Sequence, residues 1–211
     1  MSTHAPFAPS SATRWLTCTG SFGLGLQLPE APEGPYAAEG TRLHDVAAAY
    51  LRTDFEVAAS PVMVHEDYVF LKPYLDYCMA LIAKAQWHRV EERVEHSALL
   101  FGTPDLLAAL DDVFEVVDLK TGAGIMVEPE ENDQLLAYAY MKLKQYPGLH
   151  RPTVRLTIVQ PPDEDRPVKS WDTTVDHVLA WGAKAEAAIQ AALAGSFDLV
   201  AGEHCRFCKA K

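Results

Sequence analysis

In the stretch GTPDLLAALDDVFEVVDLKTG, residues 102–122, two apolar runs are separated by Asp111 and Asp112, and this spacing constrains the fold more than any other feature of the chain. A two-residue turn between short runs rich in Val, Leu and Phe reads as a tight antiparallel hairpin. With residue 110 opposite 113, counting outward sets Asp105 opposite Asp118 and residue 103 opposite Lys120. Directly opposed residues share a face with Cβ atoms about 4.5 to 5.5 Å apart, and the period of two puts Lys120 beside Asp118. Two carboxylates and an ammonium therefore converge at one end of a hairpin that otherwise reads as core.

Packing alone does not select that arrangement. Like charges opposed across a sheet are destabilising, and a buried unpaired carboxylate is strongly so. A hard divalent cation reverses the sign, because Mg²⁺ and Mn²⁺ take carboxylate oxygens and keep waters in open positions, which suits phosphate chemistry. The plainer reading leaves Asp118 paired with Lys120 and all three side chains solvated.

Around the hairpin the chain alternates between helical and strand-like periods. A short helix is expected from Ser10 or Ser11 as N-cap to about Cys18, ended by the glycines at 20, 23 and 25. Residues 28–36 read as a Pro/Gly-rich loop, 36–51 as a helix, and roughly 61–88 as a longer one. RVEERVEHS (89–97) reads as one strand preceding the hairpin. The stretch from Pro129 to Tyr146 carries acid in its first turn and Lys in its last, as the helix dipole favours. Strands at 153–160 and 168–174 and a helix ending at Gly195 complete the pattern. This order predicts an α/β fold, a central mixed sheet flanked by helices with a helical N-terminal part.

With 211 residues, a single domain is expected, divided into a helical N-terminal part (10–89), a catalytic core (90–195) and a cysteine-containing tail (196–211). The formal charge of -11 offers no broad basic surface to nucleic acid or to anionic membranes, so any polyanion has to bind locally. No apolar run approaches the roughly 20 residues that span a bilayer, and the N-terminus lacks the layout of a secretory signal, so a soluble, cytoplasmic protein is expected.

GTPD followed by DLK resembles the signature of the PD-(D/E)xK nuclease superfamily, whose core is a mixed sheet with helices on either side, the restriction-endonuclease-like core. EGTRLH (39–44) is similar to the G-T-x-x-H element of its RecB-like exonuclease branch, and NDQLLAYAY (132–140) to its Q-x-x-x-Y element. SATRWLTC near the start and HCRFC near the end resemble the terminal cysteine elements of iron-sulfur members, including CRISPR-associated and phage-encoded exonucleases. The resemblance covers about residues 10 to 208 in consistent order.

It implies a metal-dependent DNA exonuclease acting on linear ends, of phage or prophage type, in recombination or DNA-end processing and with a recombination partner protein. His44, Asp105, Asp118 and the backbone carbonyl of Leu119 would be ligands of Mg²⁺ or Mn²⁺, with His44 tilting the preference to Mn²⁺. Lys120 would hold the attacking water, and Gln134 and Tyr138 would position Lys120 or a phosphate. One of Glu91 and Glu92 is a further candidate ligand, against plain surface exposure. Lys142, Lys144, Arg151, Arg155, Arg206 and Lys209 are candidates for a narrow basic stripe along DNA.

Cys205 and Cys208 form a C-x-x-C pair that Cys18 could close into a site stapling the two ends. An iron-sulfur cluster wants four thiolates, which the resembled group completes a few residues beyond the pair, whereas this chain stops at Lys211. The alternatives are a truncated sequence, a three-ligand site, or zinc held by Cys18, Cys205, Cys208 and His204. Cys78, among apolar helical positions, reads as core. A non-catalytic DNA-binding or assembly subunit with the same fold is the competing functional reading.

Overall fold

The computed structural model describes residues 5–29, 34–52 and 63–210. A single 3₁₀ turn leads into α1 (Ala12–Thr17) and α2 (Gly20–Leu26), followed by α3 (Pro35–Leu51) and α4 (His65–Ile82). Strands β1 (Trp87–Val90), β2 (Val94–Ser97), β3 (Leu100–Gly102), β4 (Leu106–Ala109) and β5 (Val113–Leu119) come next. Helix α5 (Asp133–Gln145), strands β6 (Thr153–Val159) and β7 (Val168–Thr173), and helix α6 (Val175–Leu193) complete the order. The main sheet has the order β1-β4-β5-β6-β7, with β5 and β6 parallel and the other pairs antiparallel, while β2 and β3 form a separate ribbon. This is the mixed sheet flanked by helices that the sequence implies.

The alternation of side chains sorts the sheet into two apolar faces. Leu107, Ala109, Phe114 and Val116 face α5, α6 and α1, while Leu106, Ala108, Val117 and Leu119 face α3 and α4. Among the described residues, no helix is long and apolar enough to cross a membrane. Cys78 is fully buried on α4, as its apolar neighbours require.

The hairpin register is the expected one: Leu106 opposes Val117 and Ala109 opposes Phe114, so the next pair outward is Asp105 and Asp118. Several boundaries differ from the sequence reading. The glycines after Cys18 do not end helical structure; they build α2. Residues 89–97 are two strands rather than one, because Glu91 takes a left-handed backbone (φ 49). Helix α5 starts at Asp133 and not at Pro129: the Asn132 side chain accepts from the N–H groups of Gln134 and Leu135 and so outcompetes Pro129 as a start signal. Helix α3 begins at Pro35, inside the stretch read as loop, of which residues 30–33 lie outside the described residues; so do residues 61–62, at the expected start of α4.

Helices α5 and α6 meet at Gly182, where an added Cβ would lie 2.0 Å from the Tyr140 ring. Gly23, in α2, has nothing within 4 Å of that position. Gly182→Ala is therefore expected to lower stability by about 2 kcal/mol or more through overpacking, while Gly23→Ala stabilises by up to about 1 kcal/mol through helix propensity. Urea unfolding of the two variants checks the contrast.

Candidate metal centre and active site

The site is built where β1, β4 and β5 end together. Val90 opposes Leu106 and Leu106 opposes Val117, so one residue further along the ladder Glu91, Asp105 and Asp118 form a row across three adjacent strands. Regular backbone persists on the far side of that row, where the N–H of Lys120 donates to Val159 O at 2.8 Å. Asp105 and Asp118 are almost completely buried.

Each carboxylate in the row has its own partners. Asp105 Oδ1 accepts from His44 Nδ1 at 2.8 Å, and Asp105 Oδ2 from the Leu119 N–H at 2.5 Å. In a strand the N–H and C=O of one residue point to the same neighbour, so the Leu119 carbonyl also faces the Asp105 side. His44 reaches this point from α3, the helix on the opposite side of the sheet. Asp118 Oδ1 accepts from Gln134 Nε2 at 2.9 Å, and Lys120 Nζ lies 2.7 Å from Asp118 Oδ2. That last contact is a close ion pair whose carboxylate is buried.

Gln134 ties this half of the site to α5. Its Oε1 accepts from Lys120 Nζ at 2.8 Å, and its Nε2 donates to the Tyr138 hydroxyl at 3.3 Å as well as to Asp118. The spacing of four residues places Gln134 and Tyr138 on one helical face, as the sequence expects. Lys120, Asp118, Gln134 and Tyr138 are thus one connected chain of polar contacts.

Among the described residues, the group with the spacing of a metal site is His44, Glu91 and Asp105, whose ligand atoms all lie within 4.8 Å of one another. Asp118 is outside that group but beside it, on the same sheet face. Glu91 was only one of two acids the sequence pointed to. Its N–H bonds to Asp105 O at 3.0 Å, and its left-handed backbone is unfavourable for a residue with a side chain. Strain of that kind is retained where the surroundings demand it. Glu92 turns away instead and pairs with Lys142 Nζ at 3.1 Å.

A divalent cation fits the donor set: two carboxylates and an imidazole have ligand atoms within 4.8 Å of one another, beside a third, buried carboxylate on Asp118. Protons offset the negative charge in its absence. Burial acts to lower the pKa of His44, but Asp105 overrides it by charge and hydrogen bond, raising it to about 9. Burial raises Glu91 to about 8, with Asp105 adding to the effect. Asp118 is also held above the usual carboxylate range, by burial first, with Lys120 opposing.

Other expected participants are placed elsewhere. Lys142 is buried on α5 between Glu92 and the faces of Trp87 and Tyr146, so it cannot grip DNA. Arg155 is bound through two nitrogens to Asp172, and Arg151 donates to the carbonyls of Leu110, Gly148 and His150. The basic stripe read from the sequence does not exist as a set. At the chain ends, the Gly20 N–H bonds to Asp198 O at 3.1 Å and Thr19 Oγ1 to Ser196 Oγ at 2.8 Å, so the termini are joined. Yet Cys18, Cys205 and Cys208 do not form a cluster of ligand atoms within 4.8 Å among the described residues, and all three are free thiols.

A family model described as "Protein of unknown function (DUF2800)" matches residues 4–211. Among solved structures the chain is similar to SSO0001, with 11% identity, a TM-score of 0.42, and coverage of 95% of this chain and 81% of that one. It is also similar to an alkaline exonuclease, LHK-Exo, from Laribacter hongkongensis, with 13% identity, a TM-score of 0.38, and coverage of 87% of this chain and 91% of that one.

The protonation pattern sets a direction for pH. Between the unfolded and folded pKa values, His44 and Glu91 hold more protons folded than unfolded, so their contribution to stability is present at lower pH and lost as pH rises through about 8 to 9. A cation bound by the same atoms must displace those protons. Metal-free protein is expected to lose thermal stability from pH 7 to 9, while Mn²⁺ affinity rises over the same range; thermal melts and calorimetry in buffers of different ionisation enthalpy measure both. Glu91→Gly should weaken Mn²⁺ binding by tenfold or more while raising the melting temperature of the metal-free protein, since glycine accepts the left-handed backbone at little cost, roughly 1 kcal/mol better than other residues.

Proposed function

We propose that this chain, which belongs to the DUF2800 family, is a metal-dependent deoxyribonuclease that hydrolyses phosphodiester bonds from the ends of linear DNA. One observation carries the reading: Glu91, Asp105 and Asp118 stand in a row across three strands, with His44 bonded to Asp105 and Lys120 held against Asp118. A purely structural role gives no reason to bury so many carboxylates together.

In this reading His44, Glu91, Asp105 and Asp118, with the Leu119 carbonyl, would hold one or two Mg²⁺ or Mn²⁺ ions. When bound, such a cation would supply the acidity that makes water a nucleophile near neutral pH and would offset charge on the phosphoryl oxygens. Lys120 holds the attacking water and sets a compact positive charge where negative charge develops in the transition state. Gln134 is a positioning residue: its carbonyl oxygen keeps the Lys120 ammonium aimed, and its amide is itself fixed by Asp118 and Tyr138. Asp118 Oδ2 lies 2.7 Å from the Lys120 amine, whose side chain remains partly exposed.

The sequence resemblance supports the finer statements, namely exonuclease rather than endonuclease action and service in phage or prophage recombination or end processing beside a partner protein. A metal at the terminal cysteines would tie the chain ends together and take no part in the chemistry; iron and zinc content of protein purified without oxygen tests for it.

A time course on end-labelled linear and closed circular DNA tests the activity. Linear DNA is expected to be degraded with Mn²⁺ or Mg²⁺, circular DNA to be spared, and EDTA to abolish the reaction. Lys120→Ala should slow the wild-type rate by about 10²-fold or more with Mn²⁺ affinity retained. No cleavage of linear DNA under any condition would replace this reading with that of a non-catalytic DNA-binding or assembly subunit.

A further inference from the structure

The segment that follows Lys120 is exposed yet held from beneath by one buried side chain. Gln160, directly after β6, is 1% exposed. Its Nε2 donates to the carbonyls of Gly122 (2.7 Å) and Ile125 (2.8 Å), and its Oε1 accepts from the Val127 N–H (3.0 Å). Both amide hydrogens are used, and the two carbonyls dictate which way the amide faces. The backbone of Gln160 is equally fixed, its N–H donating to Pro167 O at 2.7 Å and its carbonyl accepting from Asp163 N at 2.9 Å. A single side chain thus clasps both ends of residues 122–127.

What it clasps has the makings of a surface for something outside the chain. Thr121 abuts α3 at Gly40, where an added Cβ would lie 3.2 Å from Thr121 Oγ1, one turn before His44. Gly122 and Gly124 have nothing within 4 Å of an added Cβ and no left-handed backbone, so neither internal packing nor conformation calls for glycine there. The N–H groups of residues 122–126 donate no hydrogen bond to another described residue. Ile125 and Met126 are 42% and 46% exposed.

Resting on the nuclease reading above, we propose that Gln160 is a positioning residue that holds residues 121–127 as a lip beside Lys120, along which the sugar-phosphate backbone of a DNA strand lies. Backbone N–H groups bind phosphate oxygens without a net positive charge, and side-chain-free positions let a strand come close. This fits a chain of charge -11 in which Lys142 and Arg155 are committed to internal partners. Contacts of this kind fix a strand's position without reading its bases.

Gln160→Met removes the clasp at similar volume, and Gly124→Val puts bulk on the lip without touching Gln160. Each variant is assayed on end-labelled linear DNA with Mn²⁺, and by fluorescence anisotropy with a short labelled duplex in Ca²⁺. Both should raise KM and weaken duplex binding by roughly tenfold, a loss of the size of one interaction, with kcat within about threefold and Mn²⁺ affinity unchanged. Gln160→Met should also open residues 121–127 to limited proteolysis. Unchanged KM and duplex affinity in Gly124→Val, or a fall in kcat at constant KM in Gln160→Met, overturns the proposal. If Gln160→Met does not fold, Gly124→Val decides. If the wild type cuts no DNA, the nuclease reading fails, and the lip stands or falls on the anisotropy alone.

Discussion

The opposition of Asp105 and Asp118 across the β4–β5 hairpin is the constraint on which the rest of the site depends. Two buried carboxylates on one sheet face repel each other, and their neighbours are arranged around that repulsion. The Leu119 N–H and His44 serve Asp105, while Gln134 and Lys120 serve Asp118. Glu91 adds a third acid to the row at the expense of a strained backbone. Without a cation the balance is restored by protons on His44 and Glu91, which explains why their pKa values lie far above the ordinary ones.

Helix α5 organises this balance from one side. Over two turns it presents Gln134 to Lys120 and Asp118, Tyr138 to Gln134, and Lys142 to Glu92. Its central residues are almost wholly buried between the sheet and α6, so these contacts come from a rigid element. The Lys142–Glu92 pair lies directly after Glu91, where β1 has ended. Loop residues 121–127 are held differently, by the Gln160 clasp rather than by packing. The reacting groups therefore sit on rigid elements and the proposed substrate surface on a tethered loop, a common division of labour in binding sites.

How much of this was legible depends on where the chemistry is local. The hairpin register could be read because a two-residue turn and a period of two leave one pairing, and every later count follows from it. The spacing of Gln134 and Tyr138 was legible for the same reason. Glu91 was not, because its strand break is encoded by tertiary demand rather than by a glycine or proline. Lys142 looked like a surface cation in the helix's basic last turn, but Trp87 and Tyr146, distant or unremarkable in sequence, form the slot that buries it. Asn132 displaced Pro129 as the helix start through side-chain capping, a contest that composition alone does not decide. Gln160 carried no signal at all, since its three bonds go to backbone groups more than thirty residues away.

The central claim is that the row of acids exists to hold a divalent cation. Anomalous diffraction at the manganese edge, from crystals grown with Mn²⁺, locates such an ion without reference to activity. The account requires a peak within coordination distance of Asp105 and of at least two among His44, Glu91 and Asp118. A well-ordered site with those side chains in place, saturating Mn²⁺ and no peak there would contradict it.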